Sequence, residues 1–156
     1  MTRKNAIPRV AYFVSPHGYG HAARAAAVME AIFRKALPSE FHIFTTVPRW
    51  FFRDSLSGSF HLHRVLTDIG LAQKTPLKAD LPETIRRLDR FLPFDPAMVE
   101  RLAGSLRRSG CRLVVCDIAP LGIVAAGTAG IPSVLIENFT WDWIYEAYER
   151  DHPPMG

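Results

Sequence analysis

The sequence predicts an α/β fold built on a parallel β-sheet. Short apolar runs alternate along the chain with longer segments whose apolar residues recur at helical spacing, the pattern of strand–helix–strand units. The chain has 156 residues, 48% hydrophobic and 22% charged, which suits one domain with a substantial core. The first apolar run ends at a loop with two glycines and two histidines, and a helical pattern begins there, as at the ligand-binding turns of such sheets.

Composition excludes several classes of protein. No apolar run approaches the roughly eighteen residues that span a bilayer, and the basic N-terminus leads into a strand pattern rather than a signal peptide. We therefore expect a cytoplasmic protein, with peripheral contact to the inner face of a membrane left open. A net charge of +4 with scattered arginines favours anionic ligands, but no basic and aromatic residues interleave as nucleic-acid binding requires. Cys111 and Cys116 flank one predicted strand and fit reduced thiols.

The first half of the chain supplies three predicted strands, over residues 9–15, 41–46 and 60–66. A helix that starts at residue 22 and ends before Pro38 joins the first two strands. A short helix over residues 50–57 joins the second strand to the third. Residues 68–94 are polar and interrupted by prolines, so we expect a solvated, partly helical segment there.

The second half supplies two more strands, over residues 113–117 and 131–136. Asp95 followed by Pro96 predicts the start of a helix, because aspartate caps a helix and proline suits its first position. Residues 120–129 are small and apolar, which predicts a helix packed closely on the sheet.

With right-handed crossovers these strands form a Rossmann-like sheet in the order 3-2-1-4-5, with helices on both faces. In that order strands 1 and 4 are neighbours, and their carboxyl ends open onto the crevice where ligands bind in such sheets. The polar and glycine residues expected at this crevice are His17, Gly18, Gly20, His21, Asp117, Glu137 and Asn138.

His21 and Asp117 are the pair that we expect to carry chemistry. A carboxylate beside a histidine orients the imidazole and stabilises its protonated form, while the other ring nitrogen takes a proton from a hydroxyl group. Two alternatives stay open: His17 as the base, and a structural role in which His21 and Asp117 cap helices. The histidines in or beside strands have no metal-type partner set in the sequence and are predicted to be surface or edge residues: His42, His61 and His63.

Residues 18–23, Gly-Tyr-Gly-His-Ala-Ala, also satisfy the dinucleotide pattern GxGxxA. A dinucleotide site should place an acidic residue after the second strand, where this chain instead has Thr46, Val47, Pro48 and Arg49. Arg49 could meet a 2′-phosphate, so an NADP-dependent oxidoreductase domain is kept as a minority alternative.

Two segments carry a resemblance to a known family. The loop over residues 16–24, Pro-His-Gly-Tyr-Gly-His-Ala-Ala-Arg, is similar to the first loop of GT-B glycosyltransferases, including the N-acetylglucosaminyltransferases of lipid-linked precursors. Together with residues 138–145, Asn-Phe-Thr-Trp-Asp-Trp-Ile-Tyr, it more closely resembles the glycosyltransferase-like N-terminal domain of L-arabinokinase-type proteins. Residues 114–117 and 129–132 also fit, so the resemblance covers nearly the whole chain.

The resemblance implies the acceptor-side half of an inverting GT-B enzyme over residues 1–152, with 153–156 starting a linker to a donor-binding domain or partner chain. The donor would be a nucleotide sugar such as UDP-N-acetylglucosamine, and the acceptor a hydroxyl compound. No metal or other cofactor is implied, because such enzymes neutralise the leaving diphosphate with helix dipoles and side chains.

The resemblance also assigns roles to residues. His21 would be the base and Asp117 its partner. Gly18, Gly20 and Arg24 would lie near the donor phosphate, with Glu137, Asn138 and Trp141 on the acceptor side. The alternative is a non-catalytic binding or regulatory domain, as in a fusion with a sugar kinase.

Overall fold

A five-stranded parallel sheet organises the part of the chain that the computed structural model describes, residues 7–151. Its strands are β1 (Arg9–Val14), β2 (Glu40–Thr45), β3 (Phe60–Arg64), β6 (Leu113–Asp117) and β7 (Ser133–Ile136). They pair in parallel in the order β3-β2-β1-β6-β7. This confirms the predicted order, with β6 and β7 as the fourth and fifth predicted strands. The predicted linker, residues 153–156, lies outside the described residues.

Six helices and one hairpin accompany these strands within residues 7–151, and the last helix follows the last strand. The helices are α1 (Tyr19–Arg34), α2 (Arg49–Ser55), α3 (Leu81–Phe91), α4 (Pro96–Arg108), α5 (Pro120–Ala129) and α6 (Trp141–Asp151). The hairpin pairs β4 (Gln73–Thr75) with β5 (Lys78–Ala79) in antiparallel fashion. None of the described helices has the length and apolar character needed to cross a membrane.

The two faces of the sheet carry separate cores. Alternate residues of a strand point to opposite faces, so Tyr12 and Val14 join the core under α1 and α2, while Phe13 joins the core under α4 and α5. The inner face of α1 is built mainly from alanines, which let the helix approach the sheet closely: Ala22, Ala25, Ala26 and Met29. The helices on both faces thus fix where each strand end lies.

The boundaries of several elements agree closely with the sequence. Strand β6 and helix α5 start and end at the predicted residues, and the Asp95 side chain caps α4 by accepting from the backbone amides of Ala97 and Met98. Helix α1 begins earlier than predicted, directly after Gly18 at φ 74°. That early start brings His21 into the first turn of the helix.

The prediction for residues 68–94 is wrong in part. Helix α3 is amphipathic and largely exposed, but Asp68, Ala72 and Thr84 are buried. The Ala72 amide donates to the Thr84 hydroxyl at 3.0 Å, and the Thr67 hydroxyl donates to the carbonyl of Val14 at 2.7 Å. Short polar side chains that bury themselves through hydrogen bonds leave no mark on hydropathy, so the sequence pattern read this segment as solvated.

The close approach of α5 to the sheet depends on Gly122. A Cβ at this position would lie 2.6 Å from Cγ of Phe13 and 2.7 Å from Sγ of Cys116. Gly122→Ala should therefore lower the free energy of unfolding by about 1–3 kcal/mol through overpacking. Gly127 lies in the same helix and has no heavy atom within 4 Å of its ideal Cβ. Gly127→Ala is the control and should raise the free energy of unfolding by about 0.5–1 kcal/mol. Urea denaturation of both variants measures these changes. Equal effects of the two substitutions would contradict the close packing at Gly122.

Candidate functional site

The candidate site begins where α1 starts and β6 ends. His21, in the first turn of α1, donates from Nδ1 to Oδ1 of Asp117, the last residue of β6, at 3.0 Å. The Asp117 side chain has no exposed surface, and the His21 side chain is 12% exposed. The structure thus brings the predicted pair together, because β1 and β6 are neighbours and the loop after β1 lies over the end of β6.

Arg24 lies one turn further along α1 and binds the same carboxylate. Its Nε is 2.8 Å from Oδ2 of Asp117 and one terminal nitrogen is 2.6 Å from Oδ1. The other terminal nitrogen donates to Oδ1 of Asn138 at 3.2 Å. Arg24 is predicted to lie near a donor phosphate, and in the structure its guanidinium nitrogens are directed at protein oxygens. These contacts have a simple physical cause, because a buried carboxylate requires a compensating charge.

Burial and hydrogen bonding act in opposite directions on Asp117. Burial is the largest single influence and raises its pKa, but the hydrogen bonds and charges of Arg24 and His21 together outweigh burial and lower it below the ordinary value. Asp117 is therefore an anion at neutral pH. A histidine that donates from Nδ1 keeps a lone pair on Nε2, which is the arrangement that a general base needs.

A second buried carboxylate, Asp68, lies on the other side of the loop after β1. It is 3% exposed and accepts hydrogen bonds from the Ser15 hydroxyl at 2.6 Å, Nε1 of Trp141 at 2.8 Å and the Gly70 amide at 3.1 Å. Sequence reasoning missed it. The signal was available, because Asp68 follows the third strand just as Asp117 ends the fourth, and the same strand-end rule applies to both.

His17 is held by packing rather than by an acid. Its ring lies edge-on to Trp141 with centroids 5.3 Å apart, and it packs directly against the backbone of Gly70, which has φ 57° and leaves no room for a side chain. Burial is the main cause of its lowered pKa, and the charge of Asp68 opposes that shift. The two predicted bases therefore differ: His21 has a carboxylate partner on Nδ1, and His17 has an aromatic neighbour.

Two of the three predicted acceptor-side residues, Glu137 and Trp141, lie around one cavity. A cavity of about 330 Å³ lies between the end of β6, helix α6 and the region before α4, and Glu137 and Trp141 line it together with mainly apolar side chains. Asn138 instead holds Arg24. A larger cavity, of about 530 Å³, is lined by Gly18 and by Arg87 and Arg90 of α3. Gly18 and Gly20 are both exposed, with open space where a Cβ would stand, so their backbone is accessible to a ligand.

The structure also places Arg49 and the three histidines of β2 and β3. Arg49, the candidate for a 2′-phosphate, lies over the ring of Phe60 at 5.0 Å from its centroid. The prediction that His42, His61 and His63 have no metal-type partners is wrong, because His42 and His61 share Glu40 as a partner. The register of β2 against β3 places His42 beside His61, a pairing that spacing along the chain cannot show.

Comparison with known proteins identifies the fold and one similar sequence. No model of a protein family matches the chain. Over 140 residues the chain is 31% identical to L-arabinokinase of Arabidopsis thaliana, an alignment that covers 88% of this chain and 13% of that protein. The solved structure of CalG4, the calicheamicin glycosyltransferase, superposes with a TM-score of 0.57 at 14% identity, covering 97% of this chain and 38% of the other.

Two further solved structures share the architecture. MurG of Acinetobacter baumannii matches with a TM-score of 0.53 at 14% identity, over 89% of this chain and 39% of the other. A UGT transferase of Siraitia grosvenorii in complex with UDP matches with a TM-score of 0.53 at 13% identity, over 83% of this chain and 27% of the other.

The chain thus has the Rossmann-like fold of the N-terminal half of GT-B glycosyltransferases. Its sequence is similar to a segment of L-arabinokinase. The chain spans 13% of L-arabinokinase and 27–39% of the three solved structures.

The Asp117 ion pair should contribute measurably to stability. Asp117→Asn leaves Arg24 without its counter-charge, and we expect a loss of about 3 kcal/mol, the lower end for breaking a buried pair, because the Arg24 side chain is 31% exposed. Urea denaturation measures the loss. The matched control is Asp54→Asn, which removes an exposed pair with Arg53 and should change stability by less than about 0.5 kcal/mol.

The same variants give a pH readout. The pKa of Asp117 is lower in the folded than in the unfolded state. The contribution of Asp117 to the free energy of unfolding is therefore fully present above its unfolded-state pKa of about 3.9, and it is lost as the pH falls through the folded-state pKa. Asp117→Asn should therefore lose less stability than the unmodified chain on acidification below about pH 4. Parallel stability curves for the two proteins would count against a charged Asp117.

Proposed function

We propose that this chain is the acceptor-binding half of an inverting glycosyltransferase that moves a sugar from a nucleotide-sugar donor to a hydroxyl acceptor. The contact between Nδ1 of His21 and the Asp117 carboxylate carries the proposal, since it leaves Nε2 of His21 as proton acceptor. Among the described residues no hydrogen bond is found on that Nε2. The similarity to structures of glycosyltransferases, one of them in complex with UDP, supports this class of reaction.

The proposed step is a single displacement. The acceptor hydroxyl oxygen attacks the anomeric carbon, its proton passes to Nε2 of His21, and the bond from the anomeric carbon to the diphosphate oxygen breaks. One displacement inverts the configuration at that carbon. Asp117 stabilises the imidazolium that forms, and the exposed backbone at Gly18 and Gly20, where α1 starts, receives the charge of the departing diphosphate. This step calls on no metal ion.

Arg24 limits how strongly Asp117 can activate His21. Its two contacts at 2.8 and 2.6 Å already neutralise much of the carboxylate charge, so the imidazolium gains less from Asp117 than it would from an unpaired acid. This observation favours a second candidate, a domain that binds a sugar or nucleotide, or regulates a fused enzyme, without transfer. The similarity to a protein named as a kinase points the same way.

A half-site should bind its donor weakly. A cleft between two domains buries most of a ligand, whereas one wall offers only a few phosphate contacts against the entropy cost of association. We expect a Kd of about 1 mM or weaker, worth about 4 kcal/mol, and no sugar transfer by the purified 156-residue chain. Calorimetry with UDP-N-acetylglucosamine and other nucleotide sugars measures it. Micromolar affinity or turnover would show that the site is complete without a second domain.

The role of His21 is tested in the longest natural gene product that contains this domain. His21→Gln removes the proton acceptor and should lower kcat for release of the nucleoside diphosphate by about 10²–10⁴-fold with the fold intact. Trp143→Ala, at a side chain 60% exposed on α6, is the control and should retain activity. His17→Gln tests the rival base.

The outcome of that comparison separates the candidates. If His21→Gln loses activity and His17→Gln keeps it, His21 is the base of the transfer reaction. If only His17→Gln loses activity, His17 is the base. If the unmodified protein transfers no sugar but binds a nucleotide sugar, and His21→Gln weakens that binding, the domain is a binding module.

A further inference from the structure

A cluster of side chains far from the candidate site has the composition of a metal centre. We call it the histidine cluster; it comprises Glu40, His42, His61 and His63. Glu40 is the first residue of β2 and His61 the second of β3, so the cluster lies toward the amino ends of the strands. His21 and Asp117 lie at the carboxyl ends, so a metal site in the cluster would be independent of the proposed function.

Two distances within the cluster match the edges of a coordination tetrahedron. Oε1 of Glu40 lies 3.3 Å from Nε2 of His42 and 3.2 Å from Nε2 of His61. In a zinc site with bonds of about 2.0–2.1 Å, neighbouring ligand atoms of a tetrahedron stand about 3.3–3.4 Å apart. One ligand atom from each of the three residues falls within 4.8 Å of the others. Two imidazoles and one carboxylate are a ligand set that zinc uses when a fourth position is left to solvent.

The surroundings hold the ligands in place. Nδ1 of His42 lies 3.0 Å from Nε2 of His63, so His42 can donate from Nδ1 and present a lone pair on Nε2 to a cation. Arg9 donates from Nε to the other carboxylate oxygen of Glu40 at 3.1 Å and is itself anchored on the carbonyl of Ser109. Such outer contacts orient metal ligands in proteins.

The exposure of the cluster also suits a cation site. The His61 side chain is 60% exposed while that of His42 is 8% exposed, which leaves the cluster open on one side for the ion to enter.

We propose that Glu40, His42 and His61 bind one divalent transition-metal ion, with zinc as the expected occupant, and that His63 positions His42. The ion would lie between the Glu40 carboxylate and the Nε2 atoms of His42 and His61, and would join β2 to the edge strand β3. Its fourth position would be open to water.

The test is a zinc titration of the purified, tag-free chain after treatment with a chelator. Calorimetry should show one equivalent bound with a Kd in the micromolar range or tighter, and cobalt in place of zinc should give the visible bands of a tetrahedral site. Zinc should also raise the midpoint of thermal unfolding. Absence of binding at about 1 mM zinc would overturn the proposal.

Variants locate the site. His61→Ala removes a mostly exposed side chain, so the variant should fold, and it should weaken zinc binding at least about tenfold, as should Glu40→Gln. His63→Ala should weaken binding by about tenfold and shift the cobalt spectrum without abolishing it.

A matched control accompanies these variants. Glu100→Gln also removes a carboxylate paired with an arginine, Arg107, and should leave zinc binding unchanged. Zinc binding that survives the double variant of Glu40→Gln and His61→Ala, or that is lost instead in Cys111→Ser, would show that the ion binds elsewhere.

Discussion

The Asp117 carboxylate has no exposed surface, so protein donors must meet its charge, and that requirement shapes the site. His21 and Arg24 approach it from successive turns of α1, and Arg24 extends the network to Asn138, just before α6. Contacts around one buried charge therefore link α1 to the end of β6 and to the chain beyond β7. The Asp117 carboxylate is also the hydrogen-bond partner that orients the His21 ring.

Asp68 plays the matching part on the other side of β1. It joins Ser15, at the end of β1, to Trp141, at the start of α6, so α6 is fastened to the sheet through two carboxylates rather than through an apolar face alone. Gly18 and the first residues of α1, including Gly20, lie between the contacts of these two acids in the chain. Gly18 and Gly20 are exposed, while the residues on either side of them are held by hydrogen bonds.

The sequence predicted those parts of the molecule in which local pattern and tertiary packing agree. The alternation of apolar runs located all five strands of the main sheet, and the rule for right-handed crossovers gave their order and with it the meeting of His21 and Asp117. Asp95 caps α4, as an aspartate before a proline predicts, and Gly122 allows the close packing of α5 on the sheet. The sequence did not predict contacts between residues that are distant along the chain. Asp68 is buried with Ser15 and Trp141 as hydrogen-bond partners. His42 lies beside His61 because of the register between β2 and β3.

Arg24 competes with His21 for the Asp117 carboxylate, and this competition bears on whether His21 can act as a base. A histidine on an unpaired buried acid would be a strong base, but here the acid is shared with a guanidinium whose contact, at 2.6 Å, is shorter than that of the imidazole, at 3.0 Å. The carboxylate can orient the ring fully while stabilising its protonated form only in part. The ion pair of Arg24 with Asp117 thus ties α1 to the end of β6 whether or not the domain transfers a sugar.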